Sequence, residues 1–209
     1  MKCATVRTLA LLTACLFNLH CAGAAASKCA AACSAPAPPA DAATGPWEDL
    51  VKPSASHRIF RQMAGVFDAK SRFWVFPGAK PGGPPSESTA RAENKLIFED
   101  RFLVQDYRVP GRSLVGVGYY GFDNLRQTYQ HVWLDSAITG IETLEGSPDA
   151  TAGVVVFRAE EIDPVTRKKI AVREVLRVEN DDRYSVERYE GGADGAEVKS
   201  METVYTRVK

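Results

Sequence analysis

The stretch from Phe67 to Arg207 constrains the fold most, because it is a series of short strand-like runs separated by turn sequences. Apolar and polar residues alternate within the runs, a period of two that is typical of half-buried β-strands. Gly, Pro, Asn and Asp collect between the runs, where their backbone preferences favour turns. Such short connections predict hairpins, and therefore an antiparallel meander. The predicted strands are Phe67–Val75, Ser88–Phe98, Arg101–Val109, Ser113–Gly121, Gln127–Asp135, Ile138–Glu145, Ala152–Ala159, Lys168–Glu179, Arg183–Glu190 and Glu197–Arg207.

About ten antiparallel strands in an open sheet would leave two unpaired edges, which are prone to associate with other chains. Closure removes both edges, so the predicted fold class is all-β, a single antiparallel up-and-down β-barrel of the lipocalin or calycin type. A strongly curved open sheet or half-barrel is the structural alternative. Before the strands, Ser54 or Ser56 is expected to cap a short N-terminal helix that runs through Met63 and ends at Gly65. Its apolar face is expected to plug one end of the barrel.

The N-terminal part of the chain has the features of an export signal. Lys2 and Arg7 precede the apolar run Thr8–Leu19, and Ala-x-Ala sites follow it. This order predicts a signal peptide over residues 1–26, with cleavage near Ser27. The alternative is lipoprotein processing, because residues 12–15 resemble a bacterial lipobox in which Cys15 would carry the lipid. Either route predicts an exported protein of the periplasm or the extracellular space, with membrane contact only through that lipid anchor.

A linker rich in Ala and Pro follows at residues 27–46, and such a composition favours extended, hydrated backbone. The remaining residues 47–209 are long enough for one domain with a sizeable core, the predicted β-barrel domain. Residues 47–209 carry 23 basic and 25 acidic side chains. A charge so near zero gives no long-range field for nucleic acid, and we predict no nucleic-acid partner. The oligomeric state stays open.

All five cysteines precede residue 34, so the predicted domain uses neither disulfide nor thiolate chemistry. Cys29 and Cys33 would remain after conventional cleavage, as a small disulfide loop or as two thiols. The domain contains only His57 and His131 as histidines, and a single histidine is more often a structural residue than a ligand. We therefore predict no metal and no cofactor. The domain also has no Gly-x-Ser-x-Gly elbow and no phosphate-binding loop, and Gly116, Gly118 and Gly121 are interpreted as strand bends.

The order of several short motifs from His57 to Lys209 resembles a bacterial family known only as domain of unknown function 1579. The two longest blocks of that resemblance are Gly116–Asn124 and Trp133–Ser136. The other matching pieces are His57 with Met63–Gly65, Arg101–Leu103, Thr139–Gly140, Asp163–Pro164, Val172–Val175, Met201–Glu202 and Tyr205–Arg207.

The resemblance implies a lipocalin-like barrel, commonly exported, with no established activity. The family usually shows Gly-x-Trp near its start, where this chain has Gly65, Val66 and Phe67. In calycin-type barrels that Trp packs near a late Arg at the base of the barrel. Arg207 is therefore expected to stack its cation over the ring of Phe67.

One strand concentrates groups that are typical of ligand pockets. Tyr129, His131, Trp133 and Asp135 alternate along it and share one face. If this face is interior, it makes a wall with stacking surface and hydrogen-bonding groups. If Val132 and its neighbours fill the core instead, the aromatic row is half-exposed surface. A His131–Asp135 acid–base pair is disfavoured, because the two residues lie far apart along the strand.

Glu174 stands out because it shares a face with the apolar residues Ile170, Val172 and Leu176. A carboxylate in a core-facing row needs a partner or bears a large desolvation cost. Arg188 on the following strand is the expected partner. Three interpretations stay open, namely a structural ion pair, a ligand anchor and an outward-facing Glu174.

The combined prediction is an exported β-barrel of unknown function that binds a small, partly apolar, lipophilic molecule in its lumen, and a binding role is favoured over an enzymatic one. The first alternative is a cell-envelope lipoprotein that acts as a structural or protein-interaction module. The second is a barrel enzyme that uses His131 with Glu174 or Asp135, although no residue is assigned as catalytic. The predicted ligand contacts are Phe73, Trp74, Tyr119, Tyr129, His131, Trp133 and Glu174.

Overall fold

Ten antiparallel strands close into one barrel in the computed structural model, which describes residues 46–74, 83–149, 151–164, 166–191 and 196–209. Each strand pairs with its neighbours along the chain, and the first pairs with the last. The predicted all-β up-and-down barrel is therefore confirmed. The strands are β1 (Gly65–Phe73), β2 (Ser86–Ile97), β3 (Phe102–Arg108), β4 (Val115–Asp123), β5 (Thr128–Asp135), β6 (Glu142–Pro148), β7 (Val154–Ile162), β8 (Lys169–Asn180), β9 (Arg183–Gly191) and β10 (Glu197–Arg207).

The predicted signal peptide, the position of the lipobox cysteine Cys15 and nearly all of the predicted linker lie outside the described residues. The same holds for Val75, at which the first strand was predicted to end. Within the described residues, β1 ends at Phe73.

A short helical segment precedes the strands and covers one end of the barrel. It consists of α1 (Pro46–Val51), a 3₁₀ turn at residues 55–57 and α2 (Arg58–Met63). The apolar side of α2 is buried against the core, so the predicted plug is confirmed. Ser54 is the N-cap of the 3₁₀ turn, and its backbone N–H donates to Nδ1 of His57 over 3.0 Å. The N-cap of α2 itself is His57, so neither Ser54 nor Ser56 caps the helix that runs through Met63. None of the helices in the described part of the chain has the length and apolar character needed to cross a bilayer.

The plug divides the barrel into two unlike ends. At the closed end, Phe60 and Met63 of α2 pack with Phe122 and Leu176, and burial is almost complete. At the opposite end, inward-facing residues such as Met201 are only partly buried, although they pack against the same core. We call this second region the open half of the lumen.

The seam between β1 and β10 completes the barrel, with Phe67 opposite Arg207 in the register. The Arg207 guanidinium lies 4.5 Å from the centroid of the Phe67 ring, which confirms the predicted cation–ring contact. The same guanidinium donates to the carbonyl oxygens of Gln62 and Ala64 at the end of α2. One side chain thus joins the seam to the plug.

The largest difference from the predicted strands is at β6, which was expected at Ile138–Glu145 and is found at Glu142–Pro148. Asp135 explains its late start, because its Oδ1 accepts hydrogen bonds from the backbone N–H groups of Ala137 and Ile138. These bonds make an Asx-type turn that delays the next strand. The strand then runs through the predicted turn residues to Pro148, which is tolerated at a strand end.

Candidate functional site

The inner wall of the barrel carries the aromatic row of β5. Tyr129 and His131 are buried, and Trp133 is partly buried and packs against the core. Cross-strand neighbours agree with this orientation, since His131 pairs with the buried residues Tyr120 and Leu144. Of the two orientations that the sequence leaves open, the structure has the aromatic row inside.

Three buried side chains meet near the middle of the lumen, and we call Tyr120, His131 and Glu174 the lumen floor. The imidazole of His131 stacks on the Tyr120 ring with centroids 4.1 Å apart and planes 6° from parallel. Nδ1 of His131 lies 3.0 Å from Oε1 of Glu174. Burial and the nearby Glu174 carboxylate raise the pKa of Tyr120 well above its usual value. The phenol therefore stays protonated, with a hydroxyl group that can donate.

The lumen floor leaves polar atoms without partners. His131 is 5% exposed and Glu174 is 3% exposed. Nδ1 of His131 and Oε1 of Glu174 lie within ion-pairing distance but do not form a hydrogen bond of regular geometry. Nδ1 and Nε2 of His131 and Oε1 of Glu174 are buried without a hydrogen-bond partner among the described residues. Such atoms in a native protein usually mark a place for water, an ion or a ligand.

Arg188 stands above the floor, in the open half, and gathers three carboxylates. Its Nη1 donates to Glu142 over 3.1 Å, its Nε donates to Glu190 over 3.2 Å, and its Nη2 donates to Glu161. We call these four residues the Arg188 cluster. The predicted ion pair between Arg188 and Glu174 is wrong, although the two residues are opposite each other in the register. The guanidinium pairs instead with Glu142 of β6 and Glu161 of β7.

The Arg188 cluster contains three carboxyl groups and a single guanidinium. Burial alone would lower the pKa of Arg188, but the carboxylates of Glu142, Glu161, Glu174 and Glu190 outweigh burial and raise it. Burial raises the pKa of Glu142, Arg188 opposes this, and the negative charges of Glu161 and Glu174 add to the rise. One guanidinium is thus insufficient to offset the carboxylates around it.

Trp133 forms a fixed apolar wall beside the cluster. Its ring covers Gly116 and Gly118 on β4, and a Cβ built on Gly116 would lie 2.3 Å from the Trp133 Cζ2 atom. These two glycines, interpreted from the sequence as bends, therefore also make room for an indole. Nε1 of Trp133 donates to Asp135 over 3.0 Å, and its ring meets that of Tyr107 edge-on at 5.8 Å. Asp135 thus holds both the indole and the following turn.

The structure separates the remaining predicted contacts into inner and outer sets. Phe73 continues the inward row of β1 and is partly buried at the rim of the open half. Trp74 lies against the outer face, where Nζ of Lys199 is 5.7 Å from its ring centroid. Tyr119 also points outward and is 44% exposed. Placing Trp74 and Tyr119 in the lumen is therefore incorrect, because alternate residues of a strand point to opposite faces.

Sequence reasoning missed a second group of buried polar residues near the plug. Nδ2 of Asn94 donates to the carbonyl oxygen of Met63 over 2.7 Å and to the Tyr184 hydroxyl over 2.9 Å. Nε2 of Gln105 donates to the same hydroxyl over 2.9 Å. The signal was available, because Asn94 interrupts an inward row that contains Ala90 and Ala92. Each of these polar side chains has a hydrogen-bond partner within the group, so we interpret the group as structural.

The described residues contain no cluster of three or more His, Cys, Asp or Glu side chains arranged to hold a metal ion. A depression of ≈ 250 Å³ opens on the β2–β3 side of the rim and is lined by Glu87, Ser88, Thr89, Val109, Pro110 and Arg112. It lies apart from the Arg188 cluster and contains none of its residues.

The fold and the inner wall define a closed, ten-stranded antiparallel barrel with one plugged end and one polar, partly accessible end. A family model described as "Protein of unknown function (DUF1579)" matches residues 52–207. The chain belongs to this family, as the resemblance of its motifs implies.

The chain shares its fold with a solved structure. The crystal structure of Rv2717c from M. tuberculosis has a TM-score of 0.52 and 14% sequence identity, and the match covers 76% of this chain and 100% of that chain. A protein of unknown function from the DUF3598 family of Nostoc punctiforme matches with a TM-score of 0.23 and 8% identity, over 75% of this chain and 100% of that chain. No curated protein matches the sequence.

Proposed function

We propose that this protein binds a small, partly apolar molecule in the open half of its lumen. The observation that carries the proposal is the set of unpartnered buried atoms on the lumen floor, namely both ring nitrogens of His131 and Oε1 of Glu174. Leaving a buried polar atom unsatisfied costs about 1–3 kcal/mol. A bound molecule with matching donors and acceptors would recover that cost.

The surroundings suit a ligand that is apolar over much of its surface. Trp133 supplies a flat wall, and Ala159, Ile170 and Met201 are partly buried around the open half. Ligand pockets commonly combine such an apolar lining with a few convergent polar groups. The closed end offers no comparable space, because Phe60, Met63 and their neighbours fill it.

The test starts with protein purified after expression of the full chain and analysed by native mass spectrometry. We expect a co-purified small molecule, or adduct formation during titration with lipophilic metabolites. Intrinsic fluorescence should change on binding in the wild type and change much less in Trp133→Phe, with Trp74→Phe on the outer face as the matched control. A crystal structure whose open half is packed solid with side chains would reject the proposal.

A second candidate function is acid–base catalysis on the bound molecule, and the closeness of His131 and Glu174 favours it. Nδ1 of His131 and Oε1 of Glu174 are 3.0 Å apart, and a carboxylate beside an imidazole is a pairing that general acid–base catalysis uses. The test is conversion of an identified ligand, followed by mass spectrometry. Turnover that is unaltered in a His131→Ala and Glu174→Gln double variant would remove this candidate.

Export belongs to the proposal as well, on the strength of the basic and apolar N-terminal sequence that ends in Ala-x-Ala sites. The envelope-lipoprotein alternative adds an anchor at Cys15. Metabolic labelling with a fatty-acid analogue separates the two routes, since a lipoprotein would incorporate the label and lose it in Cys15→Ser. Unlabelled protein released in soluble form after cleavage near Ser27 would favour conventional export.

A further inference from the structure

We propose that the molecule bound in the open half carries a positively charged group, such as an ammonium, joined to a flat apolar body. This inference rests on the proposed lumen binding and specifies the ligand class. Glu142, Glu161 and Glu174 would receive the cation, and Trp133 would contact the apolar body.

The first argument is the balance of charges on the inner wall. Four carboxyl groups, those of Glu142, Glu161, Glu174 and Glu190, face the guanidinium of Arg188 and the imidazole of His131 among the described residues. Even with both basic groups counted as cations, the acidic groups exceed them by two. An excess of buried negative charge is costly unless a cation compensates it.

Two carboxylate oxygens of the inner wall lack a regular hydrogen-bond donor in the described part of the chain. Oε1 of Glu161 is buried and has no hydrogen-bond partner, and Oε1 of Glu174 lies 3.0 Å from Nδ1 of His131 without a hydrogen bond of regular geometry. Glu174 is 97% buried (3% exposed) and belongs to the lumen floor, directly opposite Arg188 in the register. Carboxylate oxygens need donors, and an ammonium group offers three donors with a positive charge.

Arg188 is already paired with three carboxylates. Its Nε, Nη1 and Nη2 atoms are each engaged with a different carboxylate, and its side chain is 12% exposed. The nearby lysine on β10, Lys199, pairs with Glu187 on the outer face. Burial raises the pKa of Glu142, Arg188 opposes this rise, and the negative charges of Glu161 and Glu174 add to it.

The ligand body follows from the apolar wall. Trp133 presents an indole edge-on to Tyr107, beside Glu142, its cross-strand neighbour on β6. A planar body against this wall places an attached cation near the carboxylates, and an indole face also attracts cations directly. An aromatic or polycyclic amine fits both features, whereas an anionic lipid or a fatty acid would meet repulsion.

The experiment compares three probes that share one body and differ in charge. Tryptamine is the cation, tryptophol is the neutral analogue and indole-3-propionate is the anion, each titrated by calorimetry into protein purified from the full chain. We expect tryptamine to bind at least about tenfold more tightly than tryptophol, with indole-3-propionate weakest. A tenfold change in Kd corresponds to about 1.4 kcal/mol, which one charge-assisted hydrogen bond can supply.

Glu161→Gln and Glu142→Gln should each remove most of the preference for tryptamine, whereas Glu145→Gln on the outer face of β6 should keep it. Because the two Glu→Gln variants are isosteric and independent, the test still holds if one of them fails to fold. Equal binding of the three probes, or preference for the anion, would overturn the charge assignment and leave lumen binding standing. Absence of binding by all three probes would overturn the assignment of a cation on a flat body, whereas lumen binding itself is decided by native mass spectrometry of the purified protein.

Discussion

The guanidinium of Arg207 lies 4.5 Å from the centroid of the Phe67 ring, across the seam that joins the last strand to the first. It also donates to the carbonyl oxygens of Gln62, Ala64 and Asp181. A single side chain therefore satisfies the end of α2 and a turn at the closed end while it covers an aromatic ring.

Replacing Arg207 by Ala should lower the free energy of unfolding by about 2–4 kcal/mol, because three carbonyl oxygens lose a charged donor and the ring loses its cation. Urea denaturation followed by circular dichroism measures the change. Arg58→Ala is the control, since Arg58 is an exposed residue of α2. Equal midpoints for the two variants would contradict the assigned role of Arg207.

Gly116→Ala should destabilise the barrel by about 1–3 kcal/mol, because the added Cβ would lie 2.3 Å from the Trp133 ring and force it to move. The displaced indole should also shift the fluorescence emission. Gly140→Ala provides the matched control, as its nearest neighbour, Cδ1 of Ile138, is 4.0 Å from the added Cβ. A variant at Gly116 that is as stable as the control would show that the wall is not tightly packed.

His57 should make stability depend on pH near neutrality. Burial lowers its pKa below the usual 6.5, and Nδ1 accepts a hydrogen bond from the backbone N–H of Ser54. The unfolded chain therefore takes up the proton at a higher pH than the folded protein. The contribution of His57 is fully present above about pH 6.5 and is lost as the pH falls from there toward the folded-state pKa.

Replacing His57 by Asn tests this expectation, because the Asn side-chain oxygen can still accept from Ser54 but does not titrate. The wild-type Tm should fall between pH 7.5 and pH 5.5, and His57→Asn should lose part of that decrease. An identical pH slope in the two proteins would assign the slope to other groups.

Glu142→Gln should become stabilising relative to the wild type as the pH rises. Burial raises the pKa of Glu142 in the folded protein above its unfolded value of 4.5, so the folded state holds the proton more tightly. Ionisation of Glu142 consequently lowers the free energy of unfolding as the pH rises from about 4.5 through the folded-state pKa. Above that range the neutral Gln avoids the cost.

Thermal unfolding at pH 4 and pH 7 measures this effect. Glu145→Gln should behave in the opposite way, because the hydrogen bond and the charge of Arg126 lower the pKa of Glu145 and stabilise its ionised form. Equal Tm differences at both pH values would contradict the raised pKa of Glu142. Parallel behaviour of the two variants would contradict the opposite environments of the two carboxyl groups.

Local rules predicted the fold well because the barrel is built from local connections. The period-two alternation located all ten strands, and turn residues such as those at 99–100 and 180–182 marked the hairpins. The alternation and turn rules failed to predict where β6 begins, because a side chain determines the backbone conformation there. Asp135 delays β6 by hydrogen-bonding two backbone N–H groups, and composition alone does not reveal that choice.

The site was only partly predictable, because its partners lie across the lumen. Alternation puts His131 and Glu174 on one face of their own strands, but only closure brings β5 and β8 within contact. The same holds for Arg188, whose expected neighbour was Glu174 and whose actual partners include Glu142 and Glu161 from other strands. Curvature, which sets those distances, has no simple sequence signature.

The ten strand pairings include a single one, β1 with β10, that joins remote parts of the chain. Every other pairing joins strands that are consecutive in the chain, and it can form as soon as its hairpin has emerged from the ribosome, since short loops cost little entropy to close. Until β10 is translated, the edges of β1 and β9 that pair with it therefore have backbone N–H and C=O groups without strand partners. Loss of Glu197–Arg207, by a premature stop codon or by a protease, would hold the protein in that sticky intermediate and make it a client of chaperones.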